Sequence, residues 1–224
     1  MAKIDHLKQY RGRLTPSEIA TGMNAAARNA RRLLSDAELL LSKERYPLAA
    51  SIAILAIEEA GKISILRGLS TAPDDATVKE SWRAYRSHQA KNVAWIIADL
   101  ASKGATTLRD LKPIYDGNSD HPFLLDALKQ IGFYTDCCGD RHWSEPHEII
   151  DDAFARTIVM TASILCPKRE ISVREIELWV QHVAPEWGKP SMFLAAYRFH
   201  EAMEMEGLGH HDLEKVRRFL GLEH

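Results

Sequence analysis

The strongest constraint on the fold is an apolar, alanine-rich segment at residues 47–69 that contains two adjacent glutamates, Glu58 and Glu59. Its apolar residues recur at helical spacing, and the pattern continues through the glutamates without a break. A helix that is apolar on most of its surface belongs inside a helical bundle. Because burying an unpaired carboxylate costs roughly several kcal/mol, we expect a cationic partner from a neighbouring helix.

The rest of the chain is also predicted to be helical. Thr15, Pro16 and Glu18 form a helix start, with a capping threonine, a proline in the first turn and a glutamate that completes a capping box. We find no alternating run long enough to predict a strand. The predicted helices cover residues 16–42, 47–69, 76–102, 122–135 and 145–165, followed by three shorter ones at 172–183, 191–206 and 211–220. The sequence therefore predicts an all-α bundle over residues 15–166 with a C-terminal helical appendage over residues 167–221.

The charge and cysteine content limit the classes of function. The 224 residues carry a net charge of −2, so there is no overall basic field of the kind that binds nucleic acid without a specific cleft. No apolar run reaches the roughly 18 residues that a membrane span requires, and the N-terminus has no hydrophobic signal core. The chain has three cysteines, an odd number, which is not a disulfide framework. We expect a cytoplasmic protein without membrane contact.

The helix predicted at residues 76–102 supplies the expected cations. It carries Arg83, Arg86, His88 and Lys91, and Asn92 follows Lys91 directly. His88, Lys91 and Asn92 fall on one face of a regular helix.

On the glutamate helix, Glu59 lies in a stripe of leucine and isoleucine, so we expect it to face an interior polar cluster. Glu58 is four residues before Lys62, which permits a simple surface ion pair between them. The spacing of Arg83 and His88, taken alone, occurs about as often as chance allows.

Metal sites are weakly supported, and no cofactor is expected. Cys137, Cys138 and His142 could bind a metal, but adjacent cysteines are poorly spaced for a tetrahedral zinc site. No histidine follows a glutamate by three residues, which excludes the Glu-x-x-His pairs of di-iron bundles. A basic group at positions 28, 31 and 32 is either a solvated face or an RNA track.

Three segments in order carry a resemblance to a known family. They are ERYPLAASIAILAIEEAGKISIL, WRAYRSHQAKN and LKQIGFYTDCCGDRHWSEP. Together they resemble the AbiV-type abortive infection proteins of bacteria, which belong to the HEPN superfamily of helical bundles. The resemblance covers residues 28–165 and leaves the C-terminal appendage without a counterpart.

The resemblance implies a homodimer that cleaves RNA without a metal through an Arg-x4–6-His motif. Here the motif is Arg83 and His88. His88 would act as general acid and base in the attack of a 2′-hydroxyl on the adjacent phosphate, and Arg83 would neutralise the phosphate charge. Glu59, with Glu58 as the second choice, would orient one of them. One departure is Ala84, because many catalytic members have a polar residue after the motif arginine.

The remaining site residues and partners also follow from the resemblance. Lys91, Asn92, Arg86 and Lys62 would bind the RNA, with Asn92 donating a hydrogen bond to the phosphate. The protein would act in antiphage defence by halting translation in infected cells, with a phage-encoded or host protein as a possible activator. The alternative is a non-catalytic HEPN module that binds a phage or host protein.

Overall fold

The computed structural model describes residues 8–209 and 212–222, and within them it is an all-α protein with one short hairpin. This confirms the predicted fold class. The α-helices are α1 Pro16–Ser42, α2 Tyr46–Ser70, α3 Asp75–Arg86, α4 His88–Lys91, α5 Ile97–Ser102, α6 His121–Phe133, α7 Pro146–Ile149, α8 Asp152–Leu165, α9 Val173–Val183, α10 Met192–Met205 and α11 Leu213–Phe219. Short 3-10 turns lie at Val93–Ile96, Lys112–Tyr115 and Ala184–Glu186.

Helices α1 and α2 form the centre of the bundle. The predicted capping box is present at the start of α1, where the Thr15 side chain accepts from the backbone of Glu18 and the Glu18 carboxylate accepts from the backbone of Thr15. Helix α2 is buried on most sides, because α1, α6 and α8 all pack against it. Its Ile54 and Ile57 join Leu125 and Ile158 in the main hydrophobic core.

The helix predicted at residues 76–102 is not continuous, and that prediction was wrong. Ser87 adopts an extended conformation (φ −80°, ψ 128°) between α3 and α4. Its hydroxyl accepts a hydrogen bond from the Ala90 backbone and so caps α4. A serine offers the backbone this alternative to helical pairing. The break makes His88 the first residue of a new, short helix.

A second correction concerns the segment after α6. Strands β1 (Asp136–Cys138) and β2 (His142–Ser144) form an antiparallel hairpin, where we predicted no strand. Three residues a strand are too few to show an alternating pattern. The predicted helix at 145–165 is also divided, because Asp151 caps a new start for α8 by accepting from the Phe154 backbone at 2.8 Å.

The C-terminal region packs directly on the bundle. Ile171 and Ile176 share a hydrophobic cluster with Ile19 and Met23 of α1 and Leu66 of α2. The predicted division at residue 166 stays a prediction. The predicted last helix begins at position 211, which lies outside the described residues, and α11 begins at Leu213.

Polar contacts fix this region in its place. The Asn24 side chain makes two hydrogen bonds of 2.8 Å with the backbone of Ile171. Buried Glu175 accepts from Arg67 at 2.8 Å and from Arg169 at 2.7 Å. Burial opposes ionisation of Glu175, but the hydrogen bonds from Arg169 and Arg67 outweigh it and lower the pKa of the carboxyl. In the part of the chain that the structure describes, no helix has the length and apolarity needed to cross a membrane.

Candidate functional site

The candidate site is built around the Glu58 carboxylate, which lies inside the bundle with only 4% of its side chain exposed. Its Oε1 atom accepts from Lys129 Nζ at 2.6 Å, and its Oε2 atom lies 2.6 Å from His88 Nδ1. Lys91 Nζ lies 3.5 Å from the same Oε2. Two lysines and a histidine from α4 and α6 therefore surround the buried charge, as its burial requires.

Gly61 allows α4 to approach α2 closely enough for this arrangement. It lies one turn after Glu58, and a Cβ atom at this position would lie 2.1 Å from the Lys91 carbonyl oxygen. Any side chain at position 61 would therefore hold the two helices apart. The absence of a Cβ here brings His88 and Lys91 within reach of Glu58.

His88 is the exposed member of the site, with 53% of its side chain accessible. A carboxylate can only accept hydrogen bonds, so Nδ1 carries the proton that Glu58 binds. In the neutral imidazole Nε2 is then an acceptor, and no residue in the described part of the chain binds it. The contact with Glu58 thus orients the imidazole through Nδ1 and leaves Nε2 without a partner among the described residues.

Lys129 is a central residue of the site that the sequence analysis missed. Its Nζ atom also donates to Asp126 Oδ1 at 2.7 Å, and only 4% of its side chain is exposed. Burial would lower the pKa of Lys129, but hydrogen bonds to Asp126 and Glu58 outweigh it and raise the pKa. Leu125, Lys129 and Gly132 lie on the buried face of α6, so a lysine in a core stripe was the signal available.

Lys91 is also buried, and its surroundings differ from those of Lys129. Burial lowers the pKa of the Lys91 ammonium, and the Glu58 carboxylate opposes that effect. The longer contact of 3.5 Å makes its pairing with Glu58 weaker than that of Lys129. Lys91 thus adds positive charge beneath His88 rather than on the surface.

Glu59 does not enter this cluster, although we expected it there. It pairs with Lys62 at 2.6 Å, and both side chains are partly buried. The Lys62 ammonium also lies 5.3 Å from the centre of the Tyr85 ring. The expected pair between Glu58 and Lys62 is therefore replaced by one between Glu59 and Lys62.

The two arginines lie in the last turn of α3 and differ in their contacts. Arg83 is exposed, and its side chain makes no hydrogen bond or ion pair with the residues that the structure describes. Arg86 donates to the backbone oxygens of Trp82 and Tyr10 and lies over the Trp82 ring. Arg86 thus ties the N-terminal segment to α3, whereas Arg83 is available to a ligand.

Asn92 is placed where it cannot reach a ligand at the surface. It is fully buried at the end of α4. Neither its Oδ1 nor its Nδ2 atom has a partner among the described residues. The expected hydrogen bond to a phosphate would require this side chain to move.

A large groove opens next to the site, between α2, α3 and the C-terminal region. Its volume is about 1150 Å³, and its walls are mostly apolar. Gly61 and Lys91 line one wall, while Trp187, Phe193 and Phe219 of the C-terminal region line the other. The groove therefore connects the Glu58 cluster with the part of the chain that the sequence analysis could not interpret.

The weaker candidates from the sequence lie outside the Glu58 cluster. Cys137 is an exposed free thiol on β1, and the side chain of Cys138 lies outside the described part of the structure. Arg31 donates to the Pro167 carbonyl oxygen, and Arg28 pairs with Glu170 at 3.4 Å. Two of the three basic residues on α1 thus hold the C-terminal region.

Comparison with known proteins identifies the family. The family model described as AbiV, a HEPN family, matches residues 18–167. Searches of the curated proteins and of the solved structures return no match. The match covers more than half of the chain and contains α2, α4 and α6, which build the Glu58 cluster. It confirms the resemblance, and the chain belongs to the AbiV family of HEPN proteins.

Proposed function

We propose that this protein is a metal-independent endoribonuclease of antiphage defence, with His88 as its general acid and base. The observation that supports this is the pairing of an exposed imidazole with a buried carboxylate. Glu58 holds Nδ1 at 2.6 Å, which leaves Nε2 free to exchange a proton with a substrate. Glu58 therefore takes the orienting role that we first assigned to Glu59.

The proposed reaction is an internal transesterification of RNA. His88 Nε2 removes the proton of a 2′-hydroxyl, whose oxygen attacks the adjacent phosphorus. The bond from phosphorus to the 5′-oxygen breaks, and that oxygen takes the proton from His88 Nε2, which returns the imidazole to its starting state. The products end in a 2′,3′-cyclic phosphate and a 5′-hydroxyl. The Arg83 guanidinium has no partner among the described residues, and its geometry suits the charge that develops on the phosphate.

The cellular part of the proposal concerns partners. A homodimer would bring two copies of His88 and Arg83 to one cleft, which would supply the local positive charge that the net charge of −2 does not. A phage-encoded or host protein would activate cleavage, and loss of translation would stop phage production.

The test uses purified protein, cellular RNA and EDTA, with and without extract from infected cells. We expect His88→Ala and Glu58→Gln to lower cleavage by roughly 100-fold or more, since a general base contributes about 10²–10⁴-fold. His147→Ala is the matched control, because His147 and Glu145 form an exposed pair outside the cluster at 3.6 Å. Thermal melts establish that each variant is folded. Identical RNA profiles for wild type and folded His88→Ala would exclude the nuclease.

The second candidate is a binding module, which the apolar groove of about 1150 Å³ favours. In this case the Glu58 cluster would stabilise the bundle, and the groove would bind a phage or host protein. A phage-plating assay separates the two functions. Full protection by folded His88→Ala, together with loss of protection by a charged substitution at Phe193 in the groove, would support binding over cleavage.

A further inference from the structure

We infer that Lys129 is the resident cation of this site, and that its ammonium occupies the position a divalent metal ion would otherwise take. Lys129 Nζ lies 2.6 Å from Glu58 Oε1, 2.7 Å from Asp126 Oδ1 and 3.3 Å from His88 Nδ1. This inference concerns the ligand set itself, so it holds whether or not the protein cleaves RNA.

The three atoms around the ammonium form a metal-ligand set. Glu58, His88 and Asp126 each offer one ligand atom, and these atoms lie within 4.8 Å of one another. Two carboxylates and an imidazole are ligands that zinc binds at about 2.0–2.2 Å, with water in an open fourth position. The ammonium contacts of 2.6, 2.7 and 3.3 Å are longer than these, so a metal at the same point would draw the three ligand atoms inward. The imidazole proton would also have to move from Nδ1 to Nε2, because only an unprotonated ring nitrogen binds a metal.

The backbone of α6 fixes Lys129 in this position. The Ser51 hydroxyl of α2 donates to the Lys129 carbonyl oxygen at 3.2 Å. One turn further along α6, a Cβ atom at Gly132 would lie 2.1 Å from the Ser51 side chain, so the two helices are in close contact there. Lys129 therefore cannot leave the carboxylates by a shift of its helix alone.

A metal ion would have to displace this ammonium, because the ammonium repels a second cation and occupies the space between the three ligand atoms. Access from solvent is not the obstacle, because half of the His88 side chain is exposed. Removal of the ammonium should therefore convert the cluster into a divalent metal site.

The experiment titrates Co²⁺ into wild type and Lys129→Ala, measured by calorimetry and by visible absorption. We expect one Co²⁺ per chain in Lys129→Ala, at least 100-fold tighter than in wild type, with the absorption of a low-coordinate cobalt site. The double variant Lys129→Ala with His88→Ala should lose this binding. Lys103→Ala is the matched control, since Lys103 forms an exposed pair with Asp99, and the described residues hold no group of metal ligands there.

Lys129→Ala also leaves a buried carboxylate without its main partner, so its stability is measured with and without the ion. If the variant unfolds without metal, Zn²⁺ or Co²⁺ should restore a cooperative thermal transition, and Ca²⁺ should not. Equal Co²⁺ affinity in wild type and Lys129→Ala would overturn the inference, as would a failure of any transition metal to bind or refold the variant. The expected Co²⁺ binding by Lys129→Ala does not depend on whether the protein cleaves RNA.

Discussion

Gly61→Ala tests the close approach of α2 and α4 on which the site depends. The added Cβ would lie 2.1 Å from the Lys91 carbonyl oxygen and 2.9 Å from its carbonyl carbon. Ordinary van der Waals contact begins near 3.4 Å, so α4 must move away from α2 by roughly 1 Å. The neighbouring atoms are backbone, so no side-chain rotation relieves the contact.

The change in the free energy of unfolding is the balance of two effects. Overpacking of this kind costs about 1–3 kcal/mol, and alanine gains about 1 kcal/mol over glycine inside a helix. Gly68→Ala on the same helix is the matched control, because its nearest neighbour is a Trp187 ring atom at 4.0 Å. Gly68→Ala gains the higher helix propensity of alanine without a steric clash. Gly61→Ala should therefore be less stable than Gly68→Ala by about 1–3 kcal/mol.

Thermal and urea unfolding of the two variants measure this difference. For a chain of this size the gap corresponds to a Tm separation of roughly several degrees. Displacement of α4 also draws His88 Nδ1 away from Glu58, where the contact is 2.6 Å. A misplacement of about 1 Å can lower a catalysed rate by roughly 100-fold. Equal Tm values, together with unchanged RNA cleavage by Gly61→Ala, would refute the reasoning.

Three further predictions concern charge and burial. Lys129→Met should destabilise the protein by about 3–5 kcal/mol in urea unfolding, because Glu58 keeps only His88 and the longer 3.5 Å contact with Lys91 as cationic partners. Addition of Glu58→Gln should recover part of this loss, because it removes the buried charge. Since the pKa of Glu175 is lowered, its contribution to stability is complete above the ordinary glutamate value and is lost as the pH falls below it. Thermal melts between pH 6 and about 3 should show a smaller fall in Tm with decreasing pH for Glu175→Gln than for wild type. Burial raises the pKa of the Cys166 thiol to about 11. Mass spectrometry after iodoacetamide treatment at about pH 8 should therefore find Cys137 modified and Cys166 unmodified in the folded protein. Equal labelling of the two cysteines would contradict the burial of Cys166.

The helices that could be predicted well carry local signals at their ends. Thr15 and Glu18 form the predicted capping box, and the α1 bounds agree with the prediction. The break at Ser87 carries no proline or glycine, and a serine cap inside an otherwise helical pattern is too weak a signal to end a helix. The hairpin after α6 has strands of three residues, which is shorter than any periodic pattern can reveal.

The candidate site was predicted in part, and the errors have physical causes. Periodicity chooses between Glu58 and Glu59 only on a helix with one buried face, whereas α2 has buried residues on most of its surface. Lys129 lies 71 residues from Glu58 along the chain, so its pairing is set by helix packing rather than by spacing. Its place in the core stripe of α6 was visible, but its partner was not.

The packing of Ile171 and Ile176 against α1 and α2 has a consequence for how such genes evolve. Recombination that joins this bundle to a different C-terminal region would have to keep the two Asn24 hydrogen bonds and the buried Glu175 pair. A hybrid without them would expose apolar surface on the central helices. Replacement of the C-terminal quarter of the chain is therefore constrained by a few positions on α1 and α2, and substitutions there should co-vary with residues 171–176.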